Sequence, residues 1–137
     1  MKTYMLDTNI CSYIIRRMPE TVIHRLHDAE ETGANIVISI ITYAELLRGA
    51  ANPRASKDVR NGIDALVKSM DKVLPLNLPV MQTFSQIYRH LYKAGNPIGF
   101  NDALIAAHAI SENCVCVTNN TREFARIPGL LLENWAE

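Results

Sequence analysis

Short apolar runs alternate along this chain with longer segments of helical periodicity, and this alternation restricts the fold more than any other feature. The runs Thr3 to Leu6, Ile36 to Ile38 and Val115 to Val117 are rich in strand formers, as expected for buried strands. From Val80 to Leu91, apolar residues recur at helical spacing, which predicts a helix. Strands that alternate with helices form a parallel sheet covered on both faces. The sequence therefore predicts an α/β fold with a central, mostly parallel sheet.

The other periodic segments predict the remaining elements. Two more strands are expected, at Val73 to Leu76 and at Leu130 to Leu132. Further helices are predicted at Ile10 to Ile14, Val22 to Ala29, Ile41 to a stop at Gly49, Asp58 to Lys72, and Asn101 to Ile110. No internal repeat or linker interrupts the pattern. We therefore expect residues 1–137 to form a single domain.

Length and composition agree with that expectation. The chain has 137 residues, of which 48% are hydrophobic and 20% charged, enough apolar material for a soluble domain with its own core. No apolar stretch reaches the roughly 18 residues that a membrane span needs, and the N-terminus lacks the layout of a signal peptide. We therefore expect a cytoplasmic protein with no membrane partner.

Net charge bears on the class of partner. The 14 basic residues balance 14 acidic ones, whereas proteins that hold nucleic acid through phosphate contacts usually carry an excess of Lys and Arg. The basic residues of the first half, among them Arg16, Arg17, Arg48 and Arg60, leave open a local basic patch. Solvated helix faces explain the same residues equally well.

Four separated stretches place an acid or an amide beside an apolar run. They contain Asp7, Glu45, Asp102, and Asn120 with Glu123. Asp7 directly follows a predicted strand, as does the segment before Asn120, and ligands of parallel sheets collect at such strand ends. Carboxylates that lie close together repel one another unless a cation neutralises them. The pattern therefore predicts a site for Mg²⁺, or alternatively Mn²⁺, and hydrolysis of a phosphodiester bond.

Each acid also has a purely structural explanation. Asp7 is placed to cap the next helix, and Glu45 is placed to pair with Arg48 on the following turn. Asp102, at the start of an apolar helix, is placed to stabilise the helix dipole. The set of acids is more persuasive than any single member, because carboxylates held a few ångströms apart would need a cation to neutralise them.

Taken together, these motifs resemble the PIN-domain family, in particular its VapC toxin ribonuclease branch. The resemblance runs from residue 3 to about residue 135. It is carried by the helix with Glu45 and by Met5-Leu6-Asp7-Thr8-Asn9, Pro97-Ile98-Gly99-Phe100-Asn101-Asp102-Ala103-Leu104-Ile105-Ala106-Ala107-His108, and Val117-Thr118-Asn119-Asn120-Thr121-Arg122-Glu123-Phe124. It implies a three-layer α/β/α domain and a Mg²⁺-dependent endoribonuclease. Several relatives cut tRNA in the anticodon region, initiator tRNA among them, so tRNA is the expected substrate.

The resemblance also implies site residues and partners. Asp7, Glu45 and Asp102 match the family's catalytic acids, and Asp7 and Asp102 match its usual metal ligands. Many PIN domains have an aspartate where this chain has Asn120, so more weight falls on Glu123 as the remaining acid. The expected partners are a cognate VapB-like antitoxin and a second copy of the chain, as a homodimer or a hetero-oligomer with antitoxin.

Two other functions compete with this interpretation. A phosphatase that forms a phosphoaspartate needs a second aspartate two residues after the first, but Asn9 stands there. A PIN-like module that binds RNA or a protein without catalysis is the main alternative, and the amide at Asn120 points in that direction. Loss of metal-dependent RNA cleavage on an Asp7→Asn change separates an enzyme from such a module.

Overall fold

The computed structural model describes residues 2–137 as alternating strands and helices. The strands are β1 (Thr3–Leu6), β2 (Asn35–Ser39), β3 (Lys72–Leu74), β4 (Val115–Val117) and β5 (Leu132–Glu133). The helices are α1 (Thr8–Arg16), α2 (Glu20–Glu31), α3 (Ile40–Ala50), α4 (Lys57–Ser69), α5 (Leu78–Lys93), α6 (Phe100–Ser111) and α7 (Thr121–Phe124). None of the helices within residues 2–137 combines the length with the apolar character that a membrane span requires.

The five strands form one sheet in the order β3-β2-β1-β4-β5, and every neighbouring pair is parallel. The chain builds outward from β1 to β3 on one side and then crosses to β4 on the other side. The strand order therefore switches between β1 and β4, where an open parallel sheet forms a crevice at its carboxyl edge. Asp7 and Thr118 directly follow these two strands, so the predicted site lies at this crevice.

Alternate residues of the strands face two separate cores, as the pleat requires. Met5 and Val37 pack on one face with residues of α5 and α6. Leu6 and Ile38 pack on the opposite face with residues of α1, α2 and α4. The predicted three-layer α/β/α architecture with a parallel central sheet is confirmed.

Several element ends differ from the sequence prediction. The third strand begins one residue earlier than predicted and ends at Leu74, because it pairs with β2 only over three residues. The last strand is Leu132–Glu133 instead of Leu130 to Leu132, since its register is set by pairing with β4. Helix α3 continues through Gly49 to Ala50, so Gly49 is not its stop. Helix α4 ends at Ser69, three residues before the predicted Lys72.

Helices α1 and α4 approach each other closely at Gly62. A Cβ atom at that position would lie 2.7 Å from Cγ2 of Ile15, which is shorter than a van der Waals contact between carbon atoms. The glycine in the middle of α4 therefore serves helix packing. This close approach brings α4 against α1, the helix that directly follows Asp7.

Candidate active site

Asp7 lies at the start of α1 and is almost fully buried. Its Oδ1 accepts a hydrogen bond of 2.9 Å from the backbone N–H of Ile10, so it caps the helix as the structural explanation proposed. Burial raises the pKa of Asp7 from its ordinary value of 3.8 to about 6. A hydrogen bond from Thr118 opposes this shift, while the charge of Asp102 adds to it. Helix capping alone does not explain why this carboxyl group is buried, because burial destabilises its ionised form.

Glu45 projects from the middle of α3 toward the beginnings of two other helices. The Thr8 hydroxyl donates to Oε1 of Glu45 over 2.5 Å, and the Asn101 amide donates to Oε2 over 3.4 Å. These contacts tie α3 to α1 and to α6 at a single carboxylate. The ion pair with Arg48 that the sequence left open does not form among residues 2–137, so Glu45 is directed into the site.

Asp102 lies in the first turn of α6, half-buried. Burial raises the pKa of Asp102, and the negative charges of Glu45 and Glu123 raise it further. A hydrogen bond from the Asn120 side chain acts in the opposite direction. Its position also suits the helix dipole, but repulsion from two neighbouring carboxylates shows that the acids share one local environment.

Asn120 and Glu123 complete the acidic side of the crevice. Nδ2 of Asn120 donates to Oε2 of Glu123 over 2.9 Å, and hydrogen bonding by the same side chain lowers the pKa of Asp102. The backbone N–H of Asn120 donates to the Thr118 hydroxyl over 2.9 Å, which fixes the turn after β4. The amide of Asn120 therefore links two carboxylates that would otherwise only repel each other.

The structure brings all five predicted site residues together at the switch point of the sheet. It also adds three supporting side chains that the sequence prediction had not assigned to the site: Thr8, Asn101 and Thr118. Thr8 and Asn101 each neighbour a predicted acid in sequence, and Thr118 follows a predicted strand directly. The available signals were adjacency to an acid for Thr8 and Asn101, and the position directly after a strand for Thr118.

The donor set fits a hard divalent cation that keeps much of its water. In residues 2–137, no three His, Cys, Asp or Glu side chains are grouped so as to enclose a metal ion. Mg²⁺ is commonly held by only one or two carboxylates, and the mutual repulsion at Asp7 and Asp102 is the kind that a cation relieves. An open two-carboxylate site therefore fits these residues, and a closed protein cage does not.

Comparison with known proteins agrees with this geometry. The PIN-domain model matches residues 4–130. Ribonuclease VapC2 of Rickettsia felis is 37% identical over 132 residues, which cover 96% of this chain and 97% of that protein. A tRNA(fMet)-specific endonuclease VapC of Shigella flexneri is 36% identical over 136 residues, covering 99% of this chain and 100% of the relative.

Solved structures give the same assignment. The crystal structure of VapBC2 from Rickettsia felis, bound to a DNA fragment from its promoter, contains a chain that superposes with a TM-score of 0.89 at 36% identity. The superposition covers 97% of this chain and 98% of that one. Both the sequence match and the superposition extend over nearly the whole length. This chain therefore belongs to the PIN-domain family and, within it, to the VapC ribonucleases.

Proposed function

We propose that this chain is a Mg²⁺-dependent endoribonuclease toxin of a type II toxin–antitoxin system. The observation that carries the proposal is the convergence of Asp7, Glu45 and Asp102 at the sheet's switch point, where burial and mutual charge raise the pKa of both aspartates. Acids held together against their own repulsion favour a bound cation. Relatives named as ribonucleases support RNA as the substrate class.

The proposed roles follow from the contacts of each side chain. Asp7 and Asp102 would hold the cation, Mg²⁺ or Mn²⁺. When bound, the cation would supply Lewis-acid polarisation of the phosphodiester and lower the pKa of a water. Glu45, oriented by Thr8 and Asn101, is placed to accept the proton of an attacking water.

Asn120 and Glu123 are proposed to close the opposite side of the site. The Asn120 amide donates to Glu123 and, as a hydrogen-bond donor, lowers the pKa of Asp102, so it offsets part of the repulsion between these carboxylates. Glu123 would contribute the negative charge that Asn120 lacks. Because Asn120 is neutral, we propose one tightly held cation in place of two.

The specific substrate is proposed to be tRNA, with initiator tRNA cut in its anticodon region. The support comes from relatives of Shigella flexneri and Salmonella typhimurium, both named tRNA(fMet)-specific endonucleases and both 36% identical to this chain. RNA enzymes and binding proteins commonly act on unpaired loops, where bases are accessible. The anticodon loop offers such a segment.

A VapB-like antitoxin is proposed as the partner that restrains the activity. Structural neighbours are VapBC complexes, and this chain has a groove suited to an apolar segment beside the site. The groove has a volume of about 280 Å³; it is polar at Thr8 and Glu45 and apolar at Ile15, Val59 and Ile63. A segment lying there would reach Glu45. We also propose that the chain forms a homodimer, or a larger assembly with the antitoxin.

One observation favours the alternative of a non-catalytic binding module. Asn120 links Asp102 and Glu123 through its amide without any cation, and such a link partly relieves their repulsion. When the repulsion between carboxylates is already relieved, a cation gains less by binding between them. The proposal and this alternative give opposite results in a cleavage assay.

The decisive experiment is cleavage of total tRNA by purified protein in Mg²⁺, in EDTA, and by an Asp102→Asn variant in Mg²⁺. We expect discrete fragments from the wild type in Mg²⁺ alone, with an end in the anticodon loop of initiator tRNA, and suppression when the cognate antitoxin is added. Binding of tRNA by well-folded wild type without fragments in Mg²⁺ or Mn²⁺ would favour the binding module. If the fragments come from another RNA, the proposed reaction stands and the proposed tRNA substrate is wrong.

Replacing Thr8 by valine tests whether Glu45 must be oriented. Valine preserves the shape of threonine but removes the hydroxyl that donates to Glu45. We expect the cleavage rate to fall about 10- to 100-fold, as for other groups that orient site residues, with the melting temperature nearly unchanged. Thr8→Ser retains the hydroxyl and is expected to cleave like the wild type. Equal rates for Thr8→Val and wild type would show that this hydrogen bond has no role in the reaction.

A further inference from the structure

Four aromatic side chains form a continuous row beside the acidic site. Phe100 begins α6 two residues before Asp102, and its ring meets that of Phe84 edge-on at 5.4 Å between centroids. The row continues along α5 through Tyr88 and Tyr92, with centroid separations of 5.2 and 5.4 Å. The aromatic row, defined as Phe100, Phe84, Tyr88 and Tyr92, therefore leads away from the site along one helix face.

The two ends of the row are not needed for the core. Phe84 and Tyr88 are half-buried and pack against the core on the α5 side of the sheet. In contrast, Phe100 is 59% exposed and Tyr92 is 65% exposed. Among residues 2–137 they are the only exposed Phe, Tyr or Trp side chains. Exposed aromatic rings that adjoin a site are typical of a recognition surface.

The charge around the row is complementary to a polyanion. The segment 72–101, which contains all of α5, has no aspartate or glutamate, although the chain as a whole is neutral. On α5, Arg89 and Lys93 each follow a tyrosine of the row directly, and both are exposed. The acidic crevice is thus bordered by a surface that combines aromatic rings with positive charge. This combination is typical of single-stranded nucleic acid binding.

We infer that the aromatic row is a stacking surface for unpaired bases of the RNA substrate, with Arg89 and Lys93 contacting its phosphates. The inference rests on the proposed nuclease function and extends it by naming how the substrate is held. RNA is favoured over a second copy of the chain because a protein interface would gain little from the exposed cations and the acid-free segment. A strand on this surface would run directly toward Asp102. Splayed loop bases suit such a surface because every base has a face to stack.

The test compares a double variant, Phe100→Leu with Tyr92→Leu, against the wild type and Leu78→Ala. Leucine retains apolar bulk but removes the ring face. The control residue Leu78 is also on α5 and is 70% exposed, but it is not part of the row. The substrate probe is a labelled tRNA anticodon stem-loop, together with the same stem-loop carrying abasic loop positions. Cleavage gives KM and kcat, and binding is measured in EDTA.

We expect the double leucine variant to raise KM and weaken binding about 5- to 150-fold, the range for loss of one stacked base, with Leu78→Ala unchanged. The double tryptophan variant should restore binding. Abasic loop positions should weaken binding by the wild type but have little further effect on the leucine variant. Separately, Arg89→Ala with Lys93→Ala should flatten the salt dependence of binding, because fewer counterions are released.

Three outcomes would overturn the inference. If the wild type cleaves the stem-loop and the leucine variant matches it in KM and binding, the row does not hold RNA, although the nuclease function stands. If the leucine variant becomes monomeric while retaining the abasic penalty of the wild type, the row belongs to a second copy. If the wild type neither binds nor cleaves RNA, the inference and the proposed function fail together.

Discussion

Replacing Asp7 by asparagine is expected to abolish RNA cleavage while making the metal-free protein more stable at pH 7. The loss of activity, at least about 100-fold, follows from removing one of two proposed charged metal ligands. The gain in stability follows from burial, which raises the pKa of Asp7 from 3.8 to about 6. At pH 7 the folded protein must hold this carboxylate ionised in a poorly solvated position. Asparagine still accepts the capping bond from Ile10 without that charge.

The sign and the pH range of the stability effect follow from proton binding. Because the pKa of Asp7 is higher in the folded protein, the folded state binds more protons between pH 3.8 and about 6. The free energy of unfolding contributed by this group therefore falls as the pH rises through that range. A difference of about two pKa units corresponds to about 2 to 3 kcal/mol above pH 6. Asp7→Asn should gain about this amount at pH 7 and much less at pH 4.

Urea unfolding of wild type and Asp7→Asn in EDTA, at pH 4 and at pH 7, measures both stabilities. A matched control is Asp28→Asn, since Asp28 is an exposed acid on α2 and should change stability little at either pH. Added Mg²⁺ should stabilise the wild type but not Asp7→Asn, because ligand binding to the folded state alone stabilises it. An Asp7→Asn protein less stable than wild type at pH 7 would mean that the Asp7 carboxylate is held chiefly by its hydrogen bonds.

Most of the fold could be predicted because its signals are local. The buried strands Ile36 to Ile38 and Val115 to Val117 are apolar at every position, and α5 shows clear helical periodicity. The ends of β3 and β5 were predicted wrongly because the registers of these edge strands depend on a neighbouring strand. For β5, pairing with β4 shifts the strand toward Glu133. Periodicity within a segment does not contain that information.

The acids of the site were predictable for a related reason. In a parallel sheet the residue after each strand lies at the same edge, so Asp7 and the segment after Val117 were both expected at that edge; that β1 and β4 are neighbours is seen only in the structure. Contacts between helices were less accessible. That Glu45 accepts from Thr8 instead of pairing with Arg48 depends on how α3 packs against α1, whereas the sequence spacing indicated only the pairing with Arg48. The resemblance to PIN domains identified the residues; only the structure shows what holds them in position.

Replacing Trp135 by alanine is expected to destabilise the protein by about 3 to 5 kcal/mol, the range for large aromatic residues removed from a core. Trp135 is 1% exposed and its ring meets that of Tyr4 on β1 edge-on, with 5.3 Å between centroids. Its indole N–H donates to Glu133 over 3.0 Å, a carboxylate that also pairs with Arg25 on α2. Trp135 therefore connects the end of β5 to β1 through Tyr4, and to α2 through Glu133 and Arg25.

The effect of Trp135→Ala should reach the active site through the backbone. The N–H of Thr118 donates to the Glu133 carbonyl over 3.0 Å, and hydrogen bonding by the Thr118 side chain lowers the pKa of Asp7. We expect a melting temperature lower by about 10 to 20 °C and slower cleavage even at a temperature where the variant is folded. Trp135→Phe, which retains an aromatic ring but not the N–H donor, should lose much less stability, and exposed Leu131→Ala almost none. If the folded Trp135→Ala protein cleaves RNA at the wild-type rate despite its lower stability, then β5 stabilises the fold without positioning Thr118. The substitution would then have lowered the free energy of unfolding while leaving the geometry around Asp7 unchanged.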